Sequence, residues 1–561
     1  WVIVPPGQYL LATLPLRIYR NTRLTLMNGA RFLRGAVGTM LLNGETSQNM
    51  GGYSGHGNLI IEGGEWDSRA AVYGTSAMCI SIGHAENVII RDTVIKDVCG
   101  YHGIELNSTR QARISNVHGL GYVDPGGRDY SEFIQLDLAK GSAYFGGFGP
   151  YDDAVCTNIV IEGCSTGPSG TAGTVAWPRG IGSHSASPGR PHRDIRVRDC
   201  RFEGAAQWAI GAYTWEGLVI SGVQMRNCGG GVWVRTLDSS KASHRTPAGG
   251  SSPTITGSQP LTGITISDVT MVGGGGYGAA VQVEGESTGY VGALSVGKVT
   301  AKGVSGNGVR LVYVEDYTVR GIVAVGTGAT AISTLGTRRG RFTSCHVNGS
   351  GGAGFTVDSR STPAETATDV SFSGCSVTGV AANGFHMWSG VDVTIADCEA
   401  YSLTGYGVQV STGTTRPVVR NFRHRGTTLA GVNVTSTVVD PLVETAWVPM
   451  AGFGAWQNGA TANSSNPPMI RDVHRGGTRQ REFKGVVQLS SVGTGGYTFF
   501  TWNESLRPSY ERNWAVATDA GPPARLYYST AGNMGLTSAS GSTRLDMEQL
   551  TPMADPPGVA L

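Results

Sequence analysis

The chain has no apolar run of about 18 residues, so no segment reads as a membrane-spanning helix. It has no charge imbalance either: 43 Lys and Arg against 41 Asp and Glu leave a formal net charge of +2 over 561 residues. No field strong enough to hold a nucleic acid follows from that balance. Cys-x-x-Cys and His-x-x-x-His clusters are missing, which argues against structural zinc, and no cofactor-binding motif stands out. No signal peptide precedes Trp1, which begins inside a strand-like phrase (WVIVPPGQYLL). The chain therefore reads as trimmed at its start, with export left open. Also absent is any 3.6-residue apolar period, and with it a helical fold.

What is present is a phrase: apolar-x-apolar, opened by Asn, Asp or Gly and followed by Asp or Gly and often Cys. It recurs as NLIIEGGEWD from Asn58, NVIIRDTVI from Asn87, NIVIEGCSTG from Asn158, DIRVRDCRFEG from Asp194, GITISDVTM from Gly263, DVSFSGCSVTG from Asp369 and DVTIADCEA from Asp392. Most starts lie about 22 to 30 residues apart, the period of a solenoid. A second strand phrase accompanies it: GIELNS from Gly103, FIQLDLA from Phe133, GIGSHS from Gly180, AIGAYT from Ala209, GVWVRT from Gly231 and AVQVEG from Ala280. Short strands with period-2 alternation, punctuated by 85 glycines, predict a right-handed parallel β-helix. Cys164, Cys200, Cys375 and Cys398, four of nine cysteines, share one repeat position, so they are expected as a buried column of small apolar side chains and not as disulfides.

The pattern divides the chain. Residues 1–50 read as an N-terminal cap with the first coils, and 51–448 as the β-helix, with insertions at 121–152 and 237–260. Residues 449–469 read as a Gly/Asn/Ser/Pro linker. The longer alternating runs of 470–561 read as a small antiparallel, β-sandwich-like domain for binding or trimerisation.

Alternation sorts the second phrase by side. With Ile104, Ile134, Ile181, Ile210, Val232 and Val281 inward, one outward column reads Asn107, Asp137, His184, Tyr213, Arg235, Glu284. The other reads Glu105, Gln135, Gly182, Gly211, Trp233, Gln282. Carboxylates, aromatics, planar amides and a guanidinium gathered on adjacent rungs are what a saccharide cleft uses. Glycoside hydrolysis needs two carboxyl groups about 5 to 9.5 Å apart. Asp137, Glu132, Glu105 and Asp153 are the candidates for that pair, with His184 tuning or shuttling the proton. Asn107, Gln135, Asp152, Arg179, Trp208, Tyr213, Trp215, Trp233 and Arg235 are the candidate substrate-binding residues, and turn-making is the plain alternative for Asp152 and Asp153.

At these residues the chain resembles the polygalacturonase and pectate-lyase-like β-helix superfamily. EFIQLD stands where the paired-Asp strand of polygalacturonases would be, and RGIGSHS resembles their GISIGS strand, while the Asn-Thr-Asp, Gly-His-Gly and Arg-Ile-Lys motifs are missing. A closer resemblance is to bacterial and phage β-helix proteins with an E-[FA]-I-Q-[IL]-D strand, a G-S-H-S strand and H-x-x-I-x-V. Here these are Glu132, Ile134, Gln135 and Asp137, then Gly182 to Ser185, then His192, Ile195 and Val197. AWQNG (455–459), REFKGVVQL and TFFTWNESLRPSY resemble the tip domains of actinobacterial-phage tail proteins.

The resemblance implies a glycan-active β-helix on a phage tail or cell surface. The expectation is a glycoside hydrolase or depolymerase, extracellular, with a cell-surface or cell-wall polysaccharide as partner, no nucleic acid, no membrane insertion, no cofactor and no metal. A lyase acting on uronates and a binding-only adhesin are the alternatives. The large apolar side chains of 470–561, too many for one small core, predict a homotrimer.

Overall fold

The computed structural model describes residues 1–127, 130–250, 254–361, 364–425, 432–434, 443–444, 447–475 and 553–554, and residues 478–550 apart from 491, 493–495, 504–505, 507–510, 518, 520–522 and 538–540. The chain forms two compact units, Trp1–Pro417 with Asn421–Thr437, and Val418–Arg420 with Val438–Leu561.

The first unit is a right-handed parallel β-helix. Apart from Arg360–Ser361 and Ala364–Glu365, which pair antiparallel with each other, the described strands from Val2–Val4 to Val432–Val434 join one 38-stranded parallel ladder. The repeat phrase builds it through its punctuation. Asn58, Asn87, Asn158, Asp194, Asp369 and Asp392, which open the phrases, all lie at φ between 52° and 58°. That left-handed conformation is one that only Gly, Asn and Asp adopt readily. Asp92, Asn116, Asp199, Asp268 and Asp397, closing phrases, do the same, so each phrase is a strand between two corners. The corner side chains also stack: the Asn87 amide donates to Asn58 Oδ1 at 3.0 Å, and Asn58 to Asn21 at 3.0 Å.

Between the corners the apolar positions fall in register. Ile61, Ile90, Ile114, Ile161, Val197, Ile220, Ile266 and Val296 follow one another across consecutive coils, and all are fully buried. Burial of each such side chain contributes about 1.5–3 kcal/mol, so the one-dimensional core suffices to hold the coil. All nine cysteines are buried and free. Residues 1–50 are the first coils of the same ladder: Arg23–Arg34 pairs in parallel with Leu59–Asp67.

The second unit consists of small antiparallel sheets around a core that includes Ile470, Phe500, Trp502, Leu526 and Leu536. Residues 449–469 belong to it, and the linker reading is corrected. Val448–Pro449 pairs with Met469–Arg475, Gly454–Trp456 with Tyr497–Trp502, and Thr461–Ala462 with Val486–Gln488. Met450 and Ala460 are core residues. The Asn and Gly that suggested a linker make a tight turn, with Asn458 at φ 50° and Gly459 at φ 73°.

Candidate active site

The outward columns assemble on one sheet. Glu105 pairs with Gln135, Gln135 with Gly182, Gly182 with Gly211, Gly211 with Trp233 and Trp233 with Gln282. Asn107 pairs with Asp137, and farther along Tyr213 pairs with Arg235 and Arg235 with Glu284. The strand Arg179–Gly182 ends before His184, which lies beyond the ladder yet still turns toward Asp137.

Strict alternation would send Glu132 and Asp137, five residues apart, to opposite faces. They come out together because Phe133 and Ile134 are both fully buried: Phe133 packs on Trp177 at 5.4 Å, and Ile134 stacks between Ile104 and Ile181. The result is a line of three ionisable groups. Glu132 Oε2 lies 3.3 Å from His184 Nδ1, and His184 Nε2 lies 3.8 Å from Asp137 Oδ2. The two carboxyl groups are thus no more than about 9 Å apart, below the upper end of the window of about 5 to 9.5 Å that glycoside hydrolysis uses.

Each member is held. Asp137 accepts hydrogen bonds from Gln135 Nε2 at 2.8 Å, from the Leu138 N–H at 2.9 Å and from the Ser185 hydroxyl. Glu132 faces Arg179 Nη1 at 3.6 Å and His102 Nδ1 at 3.4 Å. The His102 ring stacks on His184 with centroids 5.6 Å apart. Next to the line, Glu105 Oε2 accepts the Ser81 hydroxyl at 2.6 Å.

Burial and neighbouring charge drive these groups apart. Burial alone would raise Glu132, but His184, His102 and Arg179 overrule it and hold the carboxyl at about 2. Burial raises Asp137 against the opposing pull of His184, Ser185 and the Leu138 N–H. Glu105, with burial dominant and Asp137 adding to it, is pushed up to about 8. Burial would depress His184, yet Glu132 and Asp137 outweigh it and raise the imidazole above its ordinary value. One carboxyl group held low, two pushed up and a raised imidazole share the site, the separation by which acid and base roles are set.

His102, Glu132 and His184 present nitrogen and oxygen atoms within 4.8 Å of one another, a spacing a metal ion can bridge. The donor set has its own partners: the Glu132 N–H points at His102 Nδ1 at 3.2 Å, Arg179 neutralises Glu132, and His184 is drawn toward its charged form. Glu132 Oε1 keeps no hydrogen-bond partner, with the Arg179 Nη1 charge 3.6 Å away.

Two loops close over the cluster. Tyr130, from the 121–152 insertion, stacks 5.6 Å from His184, with the Arg179 guanidinium 4.6 Å over its ring. Lys241, from the 237–260 insertion, reaches that ring at 5.0 Å and its hydroxyl at 3.4 Å. Glu132, Asp137 and Glu105 are fully buried, while the His184 side chain keeps 20% exposure.

Several candidates stand elsewhere. Trp215 is fully buried and donates to Ser183 Oγ at 2.7 Å, so it has no face for a sugar. Trp208 is buried, stacked on Trp233 at 5.2 Å, and Tyr213 is buried under the 237–260 strap, its hydroxyl bonded to His244 Nδ1 at 2.6 Å. Trp233 is half-buried between Trp208 and the Arg235 guanidinium, 4.4 Å over its ring. Beside it Arg235, Asp238, Glu284 and Glu286 line a cavity of about 230 Å³. Asp152 caps Gly52 N at 2.6 Å, and Asp153 at φ 56° accepts the Ala248 N–H at 2.6 Å, so both tie loops together. Asn107 is buried beside Asp137 and Arg179 beside Glu132. His192 accepts the Cys156 N–H at 3.0 Å and is driven by burial to about 3, a neutral structural ring.

His102, Tyr130, Ser185 and Lys241 were missed. For His102 a signal existed: it stands two residues before Ile104, as Glu132 stands before Ile134 and Arg179 before Ile181. Reading that third column would have gathered all three. Tyr130 and Lys241 arrive on loops, which no strand register places.

A family model described as a right-handed β-helix region matches residues 254–436. No curated protein matches the chain. Among solved structures, a surface adhesin of Streptococcus pneumoniae, PfbA, is similar at 13% identity and TM-score 0.48, over 73% of this chain and 84% of that one. An exopolygalacturonase from Thermotoga maritima is 14% identical over 58% of this chain and 79% of that one, with TM-score 0.37. Tailspike protein 3 of bacteriophage CBA120 is 9% identical over 85% of this chain and 64% of that one, with TM-score 0.34. At such identities and TM-scores these likenesses say nothing of what this chain acts on, and the functional reading rests on the side chains described above.

Proposed function

We propose that the chain is a glycan-active enzyme that hydrolyses a polysaccharide at the Glu132–His184–Asp137 line. The observation that carries this is that line itself: two carboxyl groups at the two ends of one strand, one held low and one pushed up, joined through an imidazole from the next coil. In this reading Asp137 protonates the departing glycosidic oxygen. Glu132 is the ionised partner that stabilises or activates the attacking group, and His184 passes a proton back to Asp137. Hydrolysis ranks above elimination on uronates because the cluster is built around carboxyl groups, Glu132, Asp137 and Glu105, the groups that hydrolysis uses in pairs.

Glu132→Gln and Asp137→Asn are each expected to cut release of new reducing ends by at least about 100-fold while the circular dichroism spectrum is unchanged. Full activity in both would remove the line from the mechanism. An unsaturated, ultraviolet-absorbing product would decide for a lyase.

The second reading is a binding-only adhesin, favoured by the burial of both carboxyl groups beneath Tyr130 and the strap. It predicts glycan binding without any product. With either reading we propose an extracellular setting, on a virion tail or secreted, and a homotrimer held by the C-terminal unit.

A further inference from the structure

Far along the same sheet an indole stands in water. Trp388 is 51% exposed, the most exposed tryptophan after Trp1 among the described residues. Its ring is not loose: the His386 imidazole lies parallel to it, 3.8 Å between centroids and 24° between planes. His386 is in turn fixed by Asn383 Nδ2 on its Nδ1 at 3.2 Å and Ser411 Oγ on its Nε2 at 3.1 Å. Burial holds that imidazole down at about 4, so it is a neutral ring at physiological pH.

The backbone singles out the position as well. The ladder between Phe385–Ala396 and Val408–Thr415 slips its register between Met387 and Ser389, the two residues flanking Trp388. An irregularity of this kind re-aims a side chain. It is pinned on both sides: Ser389 Oγ donates to Asp358 Oδ1 at 2.7 Å, and Thr414 Oγ1 to the Met387 carbonyl at 3.1 Å. Thus a large apolar ring is both presented to solvent and immobilised, against the ordinary tendency to bury it.

The surroundings select the occupant. Ser389 follows Trp388 in the chain and binds Asp358, Gln409 stands opposite His386 on the next strand, Ser411 binds His386, and His386 backs the ring. An interface with a second copy would seat such an anchor in an apolar patch. Here one flat apolar face stands among polar neighbours in chain and register, which matches a pyranose, with its C–H face and its rim of hydroxyls. The sheet links this ring to the acid cluster: eight register steps run from Ile134 to Phe385, or about 40 Å at about 4.8 Å per coil. Gln282, Arg310, Ser333 and Thr356 carry an outward polar path between Trp233 and His386.

We propose that Trp388 is a remote pyranose-stacking subsite that holds the same polysaccharide chain acted on at the Glu132–His184–Asp137 line. This rests on the glycan-active reading above. A chain must span about 40 Å to use both places, so the subsite rewards long polymers and is silent toward short oligosaccharides.

Affinity electrophoresis of the full chain in native gels cast with xylan, mixed-linkage β-glucan, dextran or polygalacturonate tests it. The expected result is retardation by at least one polymer, weakened about fivefold to tenfold in Trp388→Ala and largely restored in Trp388→Phe. A tetrasaccharide of the retarding polymer should not compete at concentrations where the polymer does. Retardation of Trp388→Ala equal to wild type, or no retardation by any of the four polymers, overturns the proposal. So does a change in the mass of Trp388→Ala by light scattering, which would make the ring a contact between copies. Full activity in Asp137→Asn with Trp388-dependent retardation kept would sink the hydrolytic line and leave the subsite standing.

Discussion

Exchanging Glu105 for Gln separates what burial does at the site from what shape does. Glu105 is fully buried, takes the Ser81 hydroxyl at 2.6 Å and is pushed up to about 8 by burial, with Asp137 adding to it. The folded protein therefore keeps the proton up to about pH 8, while the unfolded chain gives it up near the ordinary glutamate value of 4.5. Over that window the unfolded state binds fewer protons, so folding stability falls as pH rises and levels off above about 8. At about 1.4 kcal/mol per pH unit the loss reaches about 5 kcal/mol at most. Gln has nearly the same shape and keeps an oxygen for Ser81, but does not titrate. Any fixed penalty from its amide is independent of pH and cancels in the slope. The assay is the urea midpoint of the β-helix transition at pH 5, 6, 7, 8 and 9 for both proteins. Glu105→Gln should gain on wild type steadily up to pH 8 and run parallel above it. Parallel profiles across the whole range would refute the reasoning, because Glu105 would then be ionised in the fold.

Three further outcomes follow from the geometry. Glu132 has the opposite sign: held at about 2 by His184, His102 and Arg179, it stabilises the fold above pH 4.5, and Glu132→Gln should erase the part of the acid-induced loss of stability lying between about pH 4.5 and 2. Ser183→Ala leaves the buried Trp215 Nε1 without its acceptor and should destabilise the coil by about 1–3 kcal/mol, read as a lowered melting temperature, whereas Trp233→Phe should cost less. Asp153→Ala removes the carboxylate that holds the Ala248 N–H, so trypsin should cut at Lys241 or Arg245 several times faster while the melting temperature of the coil stays put; unchanged cleavage would mean that the strap is held elsewhere. For the oligomer, light scattering on the full chain and on residues 1–437, the boundary between the two units, should give a trimer and a monomer. A monomeric full chain would end the trimer reading, and a trimeric truncation would move the contact to the coil.

The sheet columns were legible in advance because parallel stacking repeats one residue position per coil. Glu105 beside Gln135 and Asn107 beside Asp137 needed only the phrases to be aligned on their inward residue. Glu132 was named for its place on the strand, but what brought it to Asp137 was the consecutive burial of Phe133 and Ile134, a corner that a period of two does not anticipate. The aromatic candidates failed for a related reason. Tyr213 was read from the outward column and Trp208 and Trp215 as aromatics beside it, yet Trp215 is turned inward, and Trp233 and the strap cover Trp208 and Tyr213.

By itself the sequence determined the parallel coil, its period, its corners and its buried cysteine column. These depend on contacts between neighbours about one coil apart, and the same local chemistry is written again in every repeat. Only the tertiary structure decided which ionisable groups meet, because that depends on loops with no repeat to align. Tyr130 and Lys241 come from different insertions, Asp153 ties one of them down, and together they take Glu132, Asp137 and Glu105 out of water. Removal from water is what drives the carboxyl groups apart in acidity, and it arises from packing across more than a hundred residues of chain.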